Sequence, residues 1–284
     1  MRAPVAGATL AGAGAIALWS LLAVLTRAAG NVPPLQLTAS AFGVAALLGI
    51  GVLGLSGRLG ELRQPPLAWV HGVGGLFGFH ALYFTALHYA PIPTANLLNY
   101  MWPLLIVVLS GPMLGMALRP RHWAGLALAV AGCALLLGRG VRFEAGFLVG
   151  YAAAVGSALV WAFYSVLARR FSRVPSGAVV GFAAATALLA AALHAVTEQT
   201  VPIAPHALLA ILLLGAGPLG AAFWLWDIGM KRGDPRRLGT LAYATPVVST
   251  ALLVLAGAAP LSPTLFGAAA LVGAGGLVAS RQRD

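Results

Sequence analysis

The chain has 284 residues, of which 60% are hydrophobic and only 8% charged, with a mean hydropathy of +0.92. Soluble domains carry about a quarter charged residues, so this composition excludes an ordinary globular protein and indicates a polytopic membrane protein. A net charge of +11 would suggest a nucleic-acid partner in a soluble chain, but here the basic residues form short clusters between apolar runs, where they act as topology signals.

A spanning helix needs about 20 mostly apolar residues. Breaks at Pro, Gly and charge clusters predict ten spans, at roughly 8–28, 35–55, 67–89, 94–112, 121–138, 146–168, 177–197, 206–230, 237–257 and 263–280. No room is left for a soluble domain of normal size. Arg2 and the apolar run after it look like a signal peptide, yet the run continues to about Leu25 without a cleavage site, which predicts a retained first helix. With the N-terminus cytoplasmic, only Arg27, Arg139 and Arg142 of the 17 Lys and Arg lie outside. The positive-inside rule then places both termini in the cytoplasm and requires an even number of spans.

The first span carries Trp19, far from the interfaces where tryptophan usually anchors. The third and fourth lie in a stretch, Gln64 to Leu118, with no Asp, Glu, Lys or Arg. His80 falls near the bilayer centre, preceded by Phe79, and at 100° per residue Leu76, His80, Tyr83 and Leu87 share one face. An intramembrane imidazole is a candidate site group; the other reading is a buried histidine bonded to a neighbouring carbonyl. Asn96, Asn99, Tyr100 and Trp102 follow in the fourth span. Pro103 has no N–H, so the Asn99 carbonyl loses its helical partner and is open to a ligand amine, a water or simply a kink.

The sixth span brings Trp161, Phe163 and Tyr164; the eighth brings Trp224, Trp226 and Asp227; the ninth brings Tyr243 and a second proline, Pro246. Asp227 is the only carboxylate within a span and lies four residues before Lys231, the spacing of a structural helix pair. His71, His80 and His88 sit at different depths and angles, so no metal site is expected. Cys133 is the lone cysteine, and no phosphate loop, dinucleotide fingerprint or nucleophile elbow appears. No cofactor and no enzymatic activity are expected. Gly74 with Gly78, Gly111 with Gly115 and Gly146 with Gly150 read as packing pairs.

The chain repeats itself. A shift of about 142 aligns Trp19, Val24, Leu25 and Arg27 with Trp161, Val166, Leu167 and Arg169; a shift of 143 aligns Leu98, Tyr100 and Pro103 with Leu241, Tyr243 and Pro246. Each half, 1–142 and 143–284, holds five spans, an odd number, so the halves must be inverted in the membrane. Inverted repeats are the architecture of many secondary transporters, with substrate bound near the midplane between them.

Ten spans in two halves, Ala-Leu-Trp-Ser at 17–20, the run from Asn96 to Pro103 and short basic inner loops resemble the EamA family of the drug/metabolite transporter superfamily. Within it, His80, Tyr83, Tyr100 and Trp102 look most like the exporters of aromatic amino acids. The resemblance implies an all-α membrane protein with a central cavity between two inverted five-helix repeats.

The absence of midspan Lys or Arg disfavours phosphorylated substrates, and the absence of a midspan carboxylate favours facilitated over ion-coupled movement. A zwitterionic, apolar or aromatic small molecule remains. The expectation is a monomeric exporter of hydrophobic amino acids in the plasma membrane; a broad exporter of amphipathic metabolites or drugs, proton-coupled or not, is the alternative. The expected binding residues are His80, Tyr83, Asn99, Tyr100, Trp102, Trp161, Tyr164 and Tyr243. Trp19, Phe79, Phe163 and Trp226 are further cavity candidates, and Pro103 and Pro246 the helix kinks.

Overall fold

The computed structural model describes residues 3–114, 119–138, 145–171, 173–232, 238, 241–242 and 245–280, and all regular structure among them is helical. Hydrocarbon offers backbone N–H and C=O groups no water, so a spanning segment must pair them within itself. The hydroxyls follow the same logic: Ser20, Thr26, Thr38 and Thr85 each donate to the carbonyl four residues earlier, at 2.6–3.1 Å.

The helices are α1 (Ala3–Ser20), α2 (Leu22–Ala28), α3 (Pro34–Leu55), α4 (Pro66–Tyr89), α5 (Ile92–Asn99), α6 (Trp102–Leu114) and α7 (Pro120–Gly138) in the first half of the chain. The second half holds α8 (Leu148–Leu167), α9 (Ala178–Thr197), α10 (Pro205–Ala216), α11 (Ala222–Arg232), α12 (Thr245–Leu255) and α13 (Pro263–Ser280). Among the described residues six stretches are long and apolar enough to cross a membrane: Ala6–Ala28, Pro34–Leu55, Pro66–Tyr89, Leu148–Leu167, Ala178–Thr197 and Pro205–Gly229. The protein is an integral membrane protein.

Among the described residues three expected spans are interrupted. The first breaks at Leu21, between α1 and α2. The fourth is two helices, α5 and α6, joined by Tyr100 and Met101. Pro103 is therefore no kink within a helix: it sits at the second position of α6, where a missing N–H costs nothing. Pro246 lies in α12, and residues 243–244 just before it are outside the described residues. The third interruption is a π-helical turn, Gly217–Ala221, between α10 and α11.

The largest packing interfaces pair α1 with α11, α3 with α9, α4 with α8 and α7 with α13. The α4–α8 contact is close because the Tyr164 ring lies where a Cβ on Gly75 would be. Of the expected glycine pairs, Gly78 and Gly150 meet neighbours, whereas Gly74 and Gly146 face open space and Gly115 lies outside the described residues.

Polar clamps hold the ends of the bundle. At one end Glu198 accepts from the backbone N–H groups of Leu35 (3.0 Å) and Gln36 (3.2 Å) at the start of α3, and pairs with His194 at 2.8 Å. A carboxylate there meets the positive end of the α3 dipole. At the other end Glu61 accepts from the Gly177 N–H at 2.9 Å, and Ser176 donates to Asp227. Asp227 thus finds a partner in the loop before α9; the side chain of Lys231, its expected partner, lies outside the described residues.

Candidate functional site

Helix α4 supplies the first wall of a central cavity. Leu76, His80, Tyr83 and Leu87 are all buried, as one helical face should be. His80 Nδ1 lies 2.9 Å from the Leu76 carbonyl one turn back. A carbonyl can only accept, so Nδ1 carries a proton, and in the neutral tautomer Nε2 is an acceptor. The ring is boxed by Phe42 and Phe79, both edge-on with centroids 4.8 and 4.7 Å away, and by Phe223 at 5.6 Å.

Helices α5 and α12 supply the polar side. The Tyr83 hydroxyl donates to Asn96 Oδ1 at 2.7 Å, and Asn96 Nδ2 donates to Ser249 Oγ at 3.0 Å. The Tyr100 hydroxyl reaches the side chains of Asn96 and Ser249. One amide thereby ties α4, α5 and α12 together, using its acceptor on one side and its donor on the other. Asn99, at the last position of α5, lies 2.9 Å from the Ser157 hydroxyl of α8. Because α6 starts at Trp102, the Asn99 carbonyl has no donor at Pro103.

The remaining wall is aromatic. Trp161 of α8 meets Trp19, Phe79 and Phe223 with centroids 5.6, 5.3 and 5.6 Å away, and Trp102 at 6.2 Å. The half-buried Trp19 satisfies its indole N–H by donating to the Pro218 carbonyl of the π turn at 3.1 Å. A π turn displaces carbonyls from the regular ladder, and here one of them holds a cavity residue in place.

The void at the centre measures about 30 Å³ and is bounded by Trp19, Leu22, Phe79, His80, Tyr83, Asn99, Tyr100, Trp102, Trp161, Phe223 and Thr245. None of these is charged. Ligand pockets usually measure ~300–1,000 Å³, so this is a contracted cavity with space for water but not for an amino acid.

Other expected residues lie elsewhere. Tyr164 packs on Trp161 but turns toward the Asp227 end, where it and Phe171 sandwich the His71 ring at 4.6 and 4.4 Å. Trp226 stands behind Trp19 at 5.1 Å. Phe163 is 43% exposed on the outer side of α8, because two residues past Trp161 is 200° around the helix. Tyr243 lies outside the described residues. Ser157, Ser249, Thr245 and Phe223 join the site without having been expected there; the only sequence signal was Phe223, the repeat counterpart of His80. Among the described residues no three His, Cys, Asp or Glu side chains could hold a metal.

An uncharged, ring-walled cavity at the centre of a membrane helix bundle is the setting of a small-molecule transporter. The chain belongs to the EamA-like transporter family, whose profile matches residues 6–138 and again 148–281. It is 49% identical over 278 residues to the aromatic amino acid exporter YddG of Ancylobacter novellus, covering 96% of each chain. It is 27% identical over 286 residues to the protein of that name in Escherichia coli, covering 95% of this chain and 96% of the other. A crystal structure of a protein 49% identical in sequence superposes with a TM-score of 0.81 over 97% of both chains.

Proposed function

We propose that the protein is a secondary carrier that exports aromatic and other hydrophobic amino acids through the central cavity by alternating access. One observation carries this reading: a cavity walled by Trp19, Trp102 and Trp161 on one side and bordered by uncharged hydrogen-bonding groups on the other. The rings suit a flat apolar side chain. His80 Nε2 and the Asn99 carbonyl suit the ammonium, and Tyr100, Asn99 and Thr245 suit the carboxylate. The relatives named as aromatic amino acid exporters support the same substrate class.

In this reading the chain forms ten spans in two inverted halves, 1–142 and 143–284, with both termini cytoplasmic. The described helices regroup into ten when α1 joins α2, α5 joins α6 and α10 joins α11. The interfaces support this reading: advancing each partner of α1 with α11 by one repeat gives α8 with α4, and α3 with α9 and α7 with α13 map onto themselves. Residues related by the repeat meet at the centre, Trp19 with Trp161 and His80 with Phe223, each at 5.6 Å. The contracted cavity is an intermediate that widens as one half rocks against the other. With no charged group among the described residues of its wall, this reading makes the cycle facilitated rather than ion-coupled.

Counterflow in proteoliposomes tests the proposal. Saturable exchange of tryptophan, tyrosine or phenylalanine, undisturbed by chemically unrelated apolar solutes, is the expected result. Absence of amino acid flux refutes it, and equal competition by unrelated solutes makes the protein a broad exporter instead.

A further inference from the structure

A second void, about 350 Å³, lies between α3, α9 and the interrupted α10–α11 and shares no residue with the central one. Ala45, Gly49, Val52, Val180, Ala216 and Trp224 are among its walls. The lining is hydrocarbon apart from the Trp224 indole, so it offers nothing to a zwitterion. The groove opens on the outside of the bundle, where Leu48 and Val52 are each 53% exposed, and in a bilayer such a space is filled by hydrocarbon.

What closes one end specifies more than a generic tail. The Arg58 guanidinium lies over the Trp224 ring, 5.5 Å from its centroid. Its Nε donates to Glu61 at 2.7 Å, while the other Glu61 oxygen is committed to the Gly177 N–H. The Arg58 Nη groups make no hydrogen bond among the described residues, and the side chain is 44% exposed. They are free to form the bidentate pair with a phosphate for which guanidinium is suited. Helix α3 runs ten residues on from Ala45 to Leu55, roughly 15 Å at 1.5 Å per residue, and Arg58 follows in the loop beyond it. Half a hydrocarbon core is ~15 Å and head groups extend several ångström beyond it, so the groove runs from head-group depth to the bilayer middle.

We propose that this groove holds one acyl chain of an anionic phospholipid whose phosphate is bound by Arg58. The bound chain packs against the π turn from outside, through Ala216, Leu219 and Ala221, while Pro218 of the same turn holds Trp19 inside.

Native mass spectrometry of the full chain, purified in detergent and exposed to equal amounts of phosphatidylglycerol and phosphatidylcholine, tests this. One phosphatidylglycerol should be retained, with about tenfold preference, and Arg58→Gln should abolish the preference. Ala216→Phe should displace the lipid altogether. Because Ala216 precedes the π turn, Ala221→Phe serves as a second groove-filling variant, with each protein first shown to be folded by its thermal transition. No retained lipid, no preference, a preference that survives Arg58→Gln, or binding unaffected by both groove-filling variants overturns the proposal.

Discussion

Trp19 and Trp161 meet edge to face near the centre of the bundle, with ring centroids 5.6 Å apart and planes at 82°, although 142 residues separate them. Each stands on a helix that opens its half of the chain. Their meeting makes one aromatic wall out of two distant segments, so either ring should matter to the ligand more than to the fold.

Trp161→Ala should therefore weaken substrate binding. Aromatic pairs contribute ~0.5–1.5 kcal/mol beyond area burial, which corresponds to a rise of about two- to tenfold in the half-saturation concentration for tryptophan. Trp161→Phe should recover part of it. The concentration dependence of counterflow is the measurement, and unchanged affinity in both variants would remove Trp161 from the binding wall.

His80→Phe copies onto the first half the residue that its second-half counterpart, Phe223, already carries. The pocket is apolar enough, with Phe42 and Phe79 4.8 and 4.7 Å away, to accept the ring at little cost in thermal stability. Transport should fall at least tenfold through loss of one hydrogen bond to a charged group, worth ~1.5–3 kcal/mol. Wild-type flux from a stable His80→Phe protein would mean that the imidazole is only a packing residue.

Asn96 links three helices, so its loss is a stability matter. Asn96→Ala leaves the Tyr83 and Ser249 hydroxyls without that partner, and buried unsatisfied groups cost ~1–3 kcal/mol each. Thermal unfolding in detergent should shift down clearly. Tyr83→Phe in the same background should add little, with a coupling of ~0.5–3 kcal/mol in a double-mutant cycle. Strict additivity would show that the 2.7 Å bond does not act as a unit with the rest.

Much of this was legible. The face Leu76, His80, Tyr83, Leu87 follows from helical period alone, and α4 spans residues 66–89 where 67–89 was expected. The misplacement of Phe163 came from grouping it with Trp161 by proximity; applying the same 100° step would have turned it outward. The break at Leu21 carried no signal, since neither Pro nor Gly stands there. Pro103 announced a disturbance but not its form. A kinked helix and two helices use the same proline, and what separates them is that Asn96 and Asn99 commit their side chains to α12 and α8. Ser157 and Ser249 were invisible for a related reason: a lone hydroxyl on an apolar helix normally bonds to its own backbone, and only the fold brings an amide within reach.

Glu198→Gln provides the fourth test, at the end of the bundle remote from Asp227. A full negative charge at the start of α3 stabilises by ~0.3–1 kcal/mol, and up to ~2 kcal/mol when partly buried. The amide substitution should speed hydrogen exchange at Leu35 and Gln36 by about threefold or more, while leaving α4 protected. Equal exchange in the two proteins would show that the 3.0 and 3.2 Å contacts contribute nothing to closing that end.

The uncharged wall of the central cavity has an electrical consequence. Moving one elementary charge against a membrane potential takes ~2.3 kcal/mol per 100 mV. In the proposed facilitated cycle, a cargo with balanced charges held by uncharged amide and hydroxyl groups would leave no net charge to be displaced when the cavity changes sides. Turnover by that cycle would be electrically silent, and the concentrations on the two sides, not the voltage, would decide which way the cargo goes.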